Sequence, residues 1–484
     1  MTIAPIEHVL DALSREGLLA VRPSVVPSVR LITSDSRAVQ PGTLFVAVPG
    51  TQADGHNFVD DAVGRGATLA LVERHVTDRI PEILVRDARR AALVAARAWY
   101  GRPTDRMRIA GITGTNGKTT TTALVRHLLN GESTAGSIGT LGAFDGHGEE
   151  VSSTAGSLTT PGPVDLQGTF AALAARGVRE VAMEASSHSL DQGRLDGLTF
   201  SAAAFTNVTR DHLDYHGTME QYLAAKLRLL DLLAPGAVAA VNQDDRAWDV
   251  IPRGGSTLTF GLDPAADLRA ETPILGAEGS RFVLAGRYGR RDVELPLPGE
   301  FNIANALAAA ACGLGLGLSI DVVAERLSTS PQVPGRMERL TVTPCVVLRD
   351  YAHTPDALER VLETLRPLTP GRLLVLFGCG GDRDRGKRPI MGRIAAERSD
   401  LAFVSSDNPR TEDPERIIDD IVAGMGGTQY VRIADRREAI ARAISAARAG
   451  DTLLLAGKGH ETYQVIGTVK QPFDEREIVS RLVA

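Results

Sequence analysis

Short apolar segments alternate with helical patterns through the last two thirds of the chain. Seven segments have the length and the apolar content of buried β-strands. They are 107–112, 181–184, 202–206, 346–350, 373–377, 401–405 and 452–456. The first of them runs into a glycine-rich turn and then into a helical pattern that begins at Thr119. Strands that alternate with helices predict parallel α/β sheets, which bind ligands beyond the carboxyl ends of their strands.

A longer apolar stretch lies at 306–320 and is rich in alanine and glycine. It is too short to span a membrane, which takes about 20 consecutive apolar residues. The stretch therefore predicts a tightly packed internal helix followed by a loop.

Two breaks in the pattern divide the chain. The first lies at 100–105, before the strand that feeds the glycine-rich turn, and the second lies at 328–335, where two prolines interrupt the helical spacing. They predict three domains, at 1–105, 106–335 and 336–484. A chain of 484 residues agrees with that number, since domains average about 150 residues.

Composition narrows the class of protein. The chain is 43% hydrophobic and 23% charged, which is typical of a soluble globular protein. A net charge of −6 gives no general electrostatic reason to bind nucleic acid or an anionic membrane. Charged residues interrupt the first 20 positions, so no signal peptide is expected. The three cysteines are scattered without metal-ligand spacing, which predicts reduced thiols in a cytoplasmic protein.

Lysine is rare in this chain. Only five of the 53 basic residues are lysine, and Lys118, Lys226, Lys387 and Lys458 lie in recognisable motifs. Lysine offers a compact charge and an amine that can lose its proton, and arginine offers neither. We therefore expect the retained lysines to mark positions where arginine cannot substitute.

The segment Gly114–Thr120 reads Gly-Thr-Asn-Gly-Lys-Thr-Thr and predicts a phosphate-binding loop. Its glycines let backbone N–H groups approach phosphate oxygens, Lys118 reaches the outer phosphates, and the Thr119 hydroxyl can bind Mg²⁺. The strict pattern has glycine where this chain has Ile112, so the loop is a variant. A chance glycine-rich turn is the alternative, and the order of strand, loop and helix disfavours it. The motif predicts a user of ATP or GTP.

Two further polar residues follow predicted strands of the middle domain. Glu184 is a candidate Mg²⁺ ligand because hard cations prefer oxygen, and the alternative is a carboxylate that caps the next turn. His212 is a candidate functional residue because other polar groups accompany it at a strand end. A purely structural histidine is the alternative there.

Lys226 lies in a helical pattern whose apolar positions are 223, 227, 230 and 233. The spacing places Lys226 on the side that faces the core. Burial disfavours a charged amine, and a neutral amine can react with CO₂ to give a carbamate, which is a metal-binding anion. The alternative is a lysine that extends its amine to solvent.

The last domain carries three polar motifs after predicted strands. They are 380–389, which contains Arg383, 407–410, which ends in Arg410, and 457–461, which ends in Glu461. Each guanidinium could bind a carboxylate through two parallel hydrogen bonds, and Glu461 could hold an amine. In an arginine-rich chain the alternative is a solvated surface charge.

Taken together, these motifs resemble the Mur ligase family, the ATP-dependent amide-forming enzymes of peptidoglycan synthesis. The resemblance covers nearly the whole chain, and further motifs add to it by their order and spacing. These are Ser34–Arg37, Pro41–Ala47, Thr159–Pro161, Phe301–Asn305 and Asp350–Pro355. The resemblance implies a small N-terminal α/β domain for a uridine nucleotide, a central phosphate-loop ATPase-type parallel sheet, and a C-terminal Rossmann-like domain.

The resemblance also assigns roles to positions in this sequence. The implied catalytic residues are Lys118, Glu184, His212 and Lys226. The implied ATP-binding residues are Gly114, Thr115, Asn116, Gly117, Lys118, Thr119, Thr120, Asn302, Asn305, Arg336 and Asp350. Those implied for the uridine nucleotide-dipeptide are Ser34, Ser36, Thr51, Gln52, Ala53, Thr159, Thr160, Ser186, Gln192 and Arg194. Those implied for the incoming amino acid are Arg383, Asp407, Asn408, Pro409, Arg410, Gly457 and Glu461. The implied Mg²⁺ ligands are Thr119, Glu184, His212 and the carbamate of Lys226.

The activity implied by the resemblance is addition of meso-diaminopimelate to the D-glutamate γ-carboxylate of UDP-N-acetylmuramoyl-L-alanyl-D-glutamate, through an acyl phosphate. Arg410 would choose the amino acid, since diaminopimelate carries a second carboxylate that lysine lacks, and family members that add lysine lack this arginine. ATP and Mg²⁺ are the expected cofactors, and the expected form is a cytoplasmic bacterial monomer that binds small molecules. A related folate-polyglutamate ligase is disfavoured because about 105 residues precede the phosphate-binding loop here. The remaining alternative is a nucleotide-binding regulator that has lost the reaction.

Overall fold

The computed structural model describes residues 6–50, 53–131, 134–151, 158–276, 278–427 and 429–483. The chain forms two compact units. The first extends to Arg269 and includes 284–291 and 304–326, and the second comprises 270–283, 292–303 and the chain from Leu327 onward.

The N-terminal region of the first unit is a sheet with helices packed against it. Its helices are α1 (Ile6–Arg15), α2 (Val59–Gly64) and α3 (Ala88–Trp99), and its strands are β1 (Leu19–Val21), β2 (Leu31–Thr33), β3 (Thr43–Val46), β4 (Ala67–Val72) and β5 (Glu82–Val85). The strand order is β1-β5-β4-β3-β2. Only β1 pairs antiparallel among the described strands of this sheet. Alanines of α3 and the buried Trp99 pack on Leu44 and Leu71 of the sheet to form its core.

The second sheet is built around the phosphate-binding loop. Its strands are β6 (Arg108–Thr113), β7 (Ala135–Gly139), β8 (Gly142–Phe144), β9 (Glu180–Glu184), β10 (Phe200–Phe205), β11 (Leu233–Asn242), β12 (Thr257–Gly261), β13 (Leu268–Leu275), β14 (Ser280–Gly286) and β15 (Gly289–Leu295). The helices along this part of the chain are α4 (Lys118–Leu129), α5 (Pro163–Ala175), α6 (Ser187–Asp191), α7 (Leu213–His216), α8 (Met219–Asp231), α9 (Glu300–Gly315) and α10 (Ile320–Ser328). The strand order is β15-β14-β13-β12-β11-β10-β6-β9-β7-β8. Strand β6 pairs in parallel with β10 on one side and β9 on the other. The loops that follow these three strands therefore emerge side by side.

The third sheet lies in the second unit. Its strands are β16 (Glu338–Thr341), β17 (Val346–Asp350), β18 (Leu373–Phe377), β19 (Leu401–Val404), β20 (Tyr430–Arg432) and β21 (Thr452–Ala456), and a separate hairpin is formed by β22 (Tyr463–Ile466) and β23 (Val469–Pro472). The helices are α11 (Pro355–Leu365), α12 (Lys387–Arg398), α13 (Pro414–Val422), α14 (Arg436–Ala446) and α15 (Glu475–Val483). The order is β16-β17-β21-β18-β19-β20, and β16 alone pairs antiparallel among the strands described. Apolar clusters cover both faces of the sheet, as parallel sheets require.

The α/β fold predicted from the apolar pattern is confirmed. Three predicted strands, Val346–Asp350, Leu373–Phe377 and Thr452–Ala456, have the bounds expected from the sequence. Helix α9 begins at Glu300, six residues before the apolar stretch at 306–320, and Glu300 is the acidic residue of its first turn. An acidic residue in the first turn of a helix is favoured by the helix dipole, which apolar periodicity does not detect.

The leucines of the predicted apolar stripe pack against the core, but they do not form the most buried face of α8. The helix buries Tyr222, Ala225, Lys226 and Leu229, whereas Leu223, Leu227 and Leu230 are only partly buried. Lys226 itself is buried, as its spacing in the helix predicted.

Among the described residues, no helix is both long and apolar enough to cross a membrane. Cys312, Cys345 and Cys379 are buried and unpaired.

Candidate active site

The phosphate-binding loop connects β6 to α4. The segment that follows β10 forms hydrogen bonds to this loop. Asn207 forms three hydrogen bonds to the loop. Its carbonyl accepts one from Thr115 N at 2.7 Å, its amide oxygen accepts one from Asn116 N at 2.9 Å, and its amide N donates one to the Asn116 carbonyl at 3.1 Å. The Thr206 hydroxyl donates to the Asn116 carbonyl at 2.7 Å. A Cβ at Gly114, where φ is +149°, would lie 1.9 Å from the Thr206 hydroxyl oxygen, so only glycine fits there.

Two lysines meet at one carbonyl of this loop. Lys118 Nζ donates to the Gly114 carbonyl at 2.9 Å and to the Thr115 carbonyl at 2.7 Å. Lys226 Nζ, from α8, donates to the same Gly114 carbonyl at 2.8 Å. Burial lowers the pKa of Lys226 well below its ordinary value, and the neighbouring charge of Lys118 lowers it further. The Lys226 amine is therefore buried, is poor at holding a proton, and lies beside the loop.

Tyr222 joins helix α8 to the loop. It lies one helical turn before Lys226, and the Lys226 Nζ is 4.2 Å from the centroid of its ring. Its hydroxyl is 3.1 Å from the Thr115 hydroxyl. Tyr222 is not among the residues predicted from the sequence, although its i, i+4 spacing from Lys226 is visible there.

Glu184 is the last residue of β9 and is only 1% exposed. Its carboxylate accepts hydrogen bonds from the Thr140 backbone N at 2.8 Å and from the Thr140 hydroxyl at 3.1 Å. The predicted alternative, a cap for the next turn, does not describe it, because Ser186 supplies the side-chain cap of α6. Thr140 is a second residue that the sequence did not reveal, because it is distant in the chain and part of no motif.

Gly139 makes room for the Glu184 carboxylate. A Cβ at Gly139 would lie 2.4 Å from Glu184 Oε1. We expect Gly139→Ala to displace this carboxylate and to lower kcat about 100-fold, with an overpacking cost of about 1–3 kcal/mol in stability. Steady-state assays and thermal denaturation measure the two effects. The control is Gly64→Ala, because a Cβ at Gly64 meets nothing within 4 Å. Unchanged kcat in a folded Gly139→Ala variant would show that Glu184 tolerates displacement.

His212 adopts a left-handed backbone with φ of +53° at the start of α7. Its ring lies edge-on to the ring of His188, with centroids 4.7 Å apart, and its Nε2 is 3.5 Å from Asp211 Oδ2. Burial lowers the pKa of His212 and, together with nearby histidines, lowers that of His188 to about 4. A neutral imidazole is the form that binds metals.

Five residues expected at the nucleotide-dipeptide site come together beside Glu184. The Thr160 hydroxyl donates to the Glu184 carbonyl at 2.9 Å and lies 3.3 Å from the Ser186 hydroxyl. Arg194 donates to the Gln192 amide oxygen at 2.9 Å and to the Thr160 carbonyl at 3.2 Å. Thr159 is connected through its hydroxyl to the Thr140 hydroxyl at 3.2 Å.

Five residues of the N-terminal region were predicted to bind the uridine nucleotide, and the structure describes three of them. Ser34 follows β2, and Ser36 begins a short 3₁₀ turn whose cap is Asp35. Ala53 is exposed, and its carbonyl accepts a hydrogen bond from Gly50 N at 2.9 Å. Thr51 and Gln52 lie outside the described residues.

Four residues outside the phosphate-binding loop were predicted to bind ATP, and they lie in two groups. They are Asn302, Asn305, Arg336 and Asp350. Asn302 and Asn305 are buried in α9, and a Cβ at Gly117 would lie 2.2 Å from the Asn305 amide oxygen. Arg336 lies over the ring of Tyr351, with its guanidinium carbon 4.7 Å from the ring centroid. Asp350 accepts hydrogen bonds from Met337 N and Ala352 N, and burial raises its pKa.

Most of the residues expected to bind the incoming amino acid form one cluster after β19 and β21. The Asn408 amide donates to Glu461 Oε2 at 2.9 Å, and Asp407 is buried beside them. Gly457 has a φ of +111°, which favours glycine, and a Cβ there would be in ordinary contact with Asp407 Oδ2 at 3.7 Å. The buried Pro409 separates Asn408 from Arg410.

Arg410 has a left-handed backbone and two backbone anchors. Its φ is +52°, its N donates to the Val465 carbonyl at 3.0 Å, and its carbonyl accepts from Gly467 N at 2.7 Å. Its guanidinium donates to the Gly381 carbonyl at 2.9 Å. Among the described residues, no carboxylate forms an ion pair with Arg410. Arg383 is exposed on the neighbouring loop.

The side chains near the loop can be compared with the ligands that Mg²⁺ prefers. No group of three or more His, Cys, Asp and Glu side chains suited to a metal occurs within the described ranges. The oxygens at the loop, which are the Thr119 hydroxyl and the Glu184 carboxylate, are both buried and are of the hard type that Mg²⁺ prefers. The donor chemistry fits Mg²⁺, and further oxygens would have to come from phosphate, water or a carbamate.

A parallel sheet with a phosphate-binding loop after a central strand defines a phosphate-loop α/β protein. Three family models match the chain in succession: "Mur ligase family, catalytic domain" at 28–105, "Mur ligase middle domain" at 112–313 and "Mur ligase, glutamate ligase domain" at 335–459. The chain belongs to the Mur ligase family.

Individual proteins resemble the chain over nearly its full length. The chain is 44% identical over 456 residues to the UDP-N-acetylmuramoyl-L-alanyl-D-glutamate--2,6-diaminopimelate ligase of Gloeobacter violaceus, covering 92% of each. A solved structure of a ligase of the same name is 33% identical with a TM-score of 0.67, covering 100% of this chain and 99% of that one. The MurF ligase of Thermotoga maritima in complex with ADP shares the fold, with a TM-score of 0.65 at 19% identity, covering 94% and 97% of the two chains.

Proposed function

We propose that this protein is an ATP-dependent ligase that joins meso-diaminopimelate to the D-glutamate γ-carboxylate of UDP-N-acetylmuramoyl-L-alanyl-D-glutamate. The observation that carries the proposal is the cluster after β19 and β21. There Asn408 donates to Glu461, and Arg410, which has no acidic partner among the described residues, contacts the Asn408 carbonyl. Identity of 44% to a ligase with this name, over nearly the full length of both chains, supports it.

The proposed binding regions follow the three sheets. Residues 1–105 would bind the uridine nucleotide, 106–335 would bind ATP, and 336–484 would bind the amino acid. We further propose a cytoplasmic monomer, since all three cysteines are unpaired thiols and the substrates are small molecules.

The phosphate-binding loop would hold the triphosphate of ATP. Backbone N–H groups at the start of α4 favour an anion, and the Lys118 ammonium now satisfied by two loop carbonyls would turn to the phosphates. Mg²⁺ would be held by Thr119, Glu184, His212 and a carbamate on Lys226. When bound, the metal would neutralise charge on the phosphoryl group.

The substrate chemistry has two steps. The γ-carboxylate of the dipeptide attacks the γ-phosphorus of ATP, which gives an acyl phosphate and releases ADP. The amine of diaminopimelate then attacks the acyl carbon and expels inorganic phosphate, and the proton lost by the amine leaves with it. Arg194, Thr160 and Ser186, connected by hydrogen bonds beside Glu184, would orient the dipeptide.

The amino acid would be recognised by charge at both of its ends. Glu461 and Asp407 suit an ammonium group, and Arg410 suits the distal carboxylate, which it can bind through two parallel hydrogen bonds. L-lysine would leave the guanidinium without that partner.

Phosphate release tests the proposal directly. With ATP, Mg²⁺ and UDP-N-acetylmuramoyl-L-alanyl-D-glutamate, we expect turnover with meso-diaminopimelate and little turnover with L-lysine. The control omits the amino acid and reports any wasteful ATP hydrolysis. Preference for lysine would retain the ligase and reject the proposed role of Arg410. No turnover with either amino acid, even after bicarbonate is added to restore the carbamate, would favour a nucleotide-binding regulator.

A further inference from the structure

Lys458 is the most completely buried lysine of the second unit. It follows β21, and its side chain is 0% exposed. No role in binding or catalysis was predicted for it. A buried ammonium is costly unless acceptors surround it, so its partners indicate why it is retained.

The Lys458 ammonium has one acceptor from each of three residues of the candidate amino-acid site. Its Nζ donates to Asp407 Oδ1 at 3.3 Å, to Asn408 Oδ1 at 3.1 Å and to Glu461 Oε2 at 3.3 Å. An ammonium has three N–H groups, so these bonds use all of them. Asn408 closes the network, because its amide N donates to the same Glu461 oxygen at 2.9 Å.

The backbone around Lys458 is shaped to bury it. Gly457 and Gly459 both have positive φ, of +111° and +52°. A Cβ at Gly459 would lie 2.7 Å from Tyr351 Cβ, so the turn cannot carry a side chain there. Two glycines thus allow the lysine between them to point inward.

The charges of this network suit an ammonium ligand. Two carboxylates and one buried cation leave one net negative charge, which one incoming ammonium would balance. Asp407 Oδ2 and Glu461 Oε1 take no part in the bonds to Lys458, so each residue keeps an oxygen for a ligand. Without Lys458, the two carboxylates would repel each other, and the Asn408 side chain would keep only its bonds from Val465 N and to Glu461.

We propose that Lys458 is a positioning residue that fixes Asp407, Asn408 and Glu461 for the amino group of the amino-acid substrate. The inference rests on the proposed function. It assigns to Lys458 an effect on binding of one substrate, not a general effect on the fold.

The test compares Lys458→Met, which removes the ammonium and keeps an unbranched apolar side chain, with the parent enzyme. The expected result is a KM for diaminopimelate raised about 10- to 100-fold, the loss expected for a charged hydrogen-bonding partner, with the KM for ATP changed less than about 2-fold. The control is Lys470→Met, an exposed lysine of the nearby hairpin, for which both KM values should remain those of the parent.

Two further variants separate position from stability. Lys458→Arg keeps the charge but not the compact ammonium, so we expect it to fold while the KM for diaminopimelate stays raised. If Lys458→Met does not fold, the KM of Lys458→Arg for diaminopimelate tests the proposal by itself. The double variant Lys458→Met/Glu461→Gln should raise KM by less than the product of the single effects, because both residues act in one network.

An unchanged KM for diaminopimelate in folded Lys458 variants would overturn the inference. A parallel rise of both KM values with a lower denaturation midpoint would do the same, since it indicates a structural role. Failure of the proposed function is distinguishable, because the parent enzyme itself would then not turn over diaminopimelate.

Discussion

Lys226→Met is expected to lower kcat about 10²–10³-fold, the effect of removing a group that stabilises charge in the transition state. The variant should be at least as stable as the parent. Lys226 is 1% exposed, and the Gly114 carbonyl that it contacts keeps the bond from Lys118. An apolar side chain of similar length therefore replaces an amine whose burial is costly.

The lowered pKa of Lys226 favours formation of a carbamate on its amine. Burial and the charge of Lys118 both favour the neutral amine, which is the form that attacks CO₂. The reaction forms a C–N bond, gives a carbamate and releases one proton. Because the folded-state pKa is lowered, the amine remains neutral at a lower pH than an exposed lysine would, and it charges only when the pH falls through that lowered value.

Bicarbonate dependence distinguishes a carbamate from a simple amine. Enzyme stripped of CO₂ at mildly acidic pH and returned to degassed buffer should lose activity and recover it when bicarbonate is added. Lys226→Met should show no response to bicarbonate, and Lys470→Met should respond as the parent does. A stripped parent enzyme that remains fully active would contradict the carbamate, and retained kcat in Lys226→Met would contradict any catalytic role for this residue.

Arg410→Lys is expected to raise the KM for meso-diaminopimelate about 10- to 150-fold, because a charged hydrogen-bonding partner contributes about 1.5–3 kcal/mol. Lysine keeps the positive charge but cannot form two parallel hydrogen bonds with a carboxylate. The KM for ATP should not change. L-lysine, which has no distal carboxylate, should be used as poorly as before, so the ratio of kcat/KM values for the two amino acids should fall.

The matched control for Arg410 is Arg398→Lys. Arg398 lies in α12, and its guanidinium pairs with Glu359 and Glu363 on the surface, where an ion pair contributes little. Competition assays with the two amino acids measure the discrimination in each variant. A folded Arg410→Lys enzyme with unaltered discrimination would assign the choice of amino acid to another residue, such as Arg383.

The sequence predicted the chemistry of the loop better than the surroundings of each side chain. Gly114, Gly117 and Lys118 lie close together in the chain, and both glycines have positive φ, which a glycine adopts without strain. Lys226 was predicted on the buried side of α8 and lies there, and the predicted leucines pack against the core, but Tyr222 and Ala225 are more deeply buried than those leucines. The most buried face of α8 includes a small residue and an aromatic residue, so the spacing of leucines alone does not reveal it.

By itself the sequence determined the α/β class and the strand-loop-helix order at the phosphate-binding loop, because these depend on local periodicity and on residues close together in the chain. The full set of candidate site residues came from the resemblance to the Mur ligase family. The tertiary structure decided which of those residues meet. Lys118 and Lys226 share one carbonyl across 108 positions, Thr140 holds Glu184, and Lys458 joins Asp407, Asn408 and Glu461. Such contacts arise where parallel strands place distant loops at one edge of a sheet, and no local pattern encodes them.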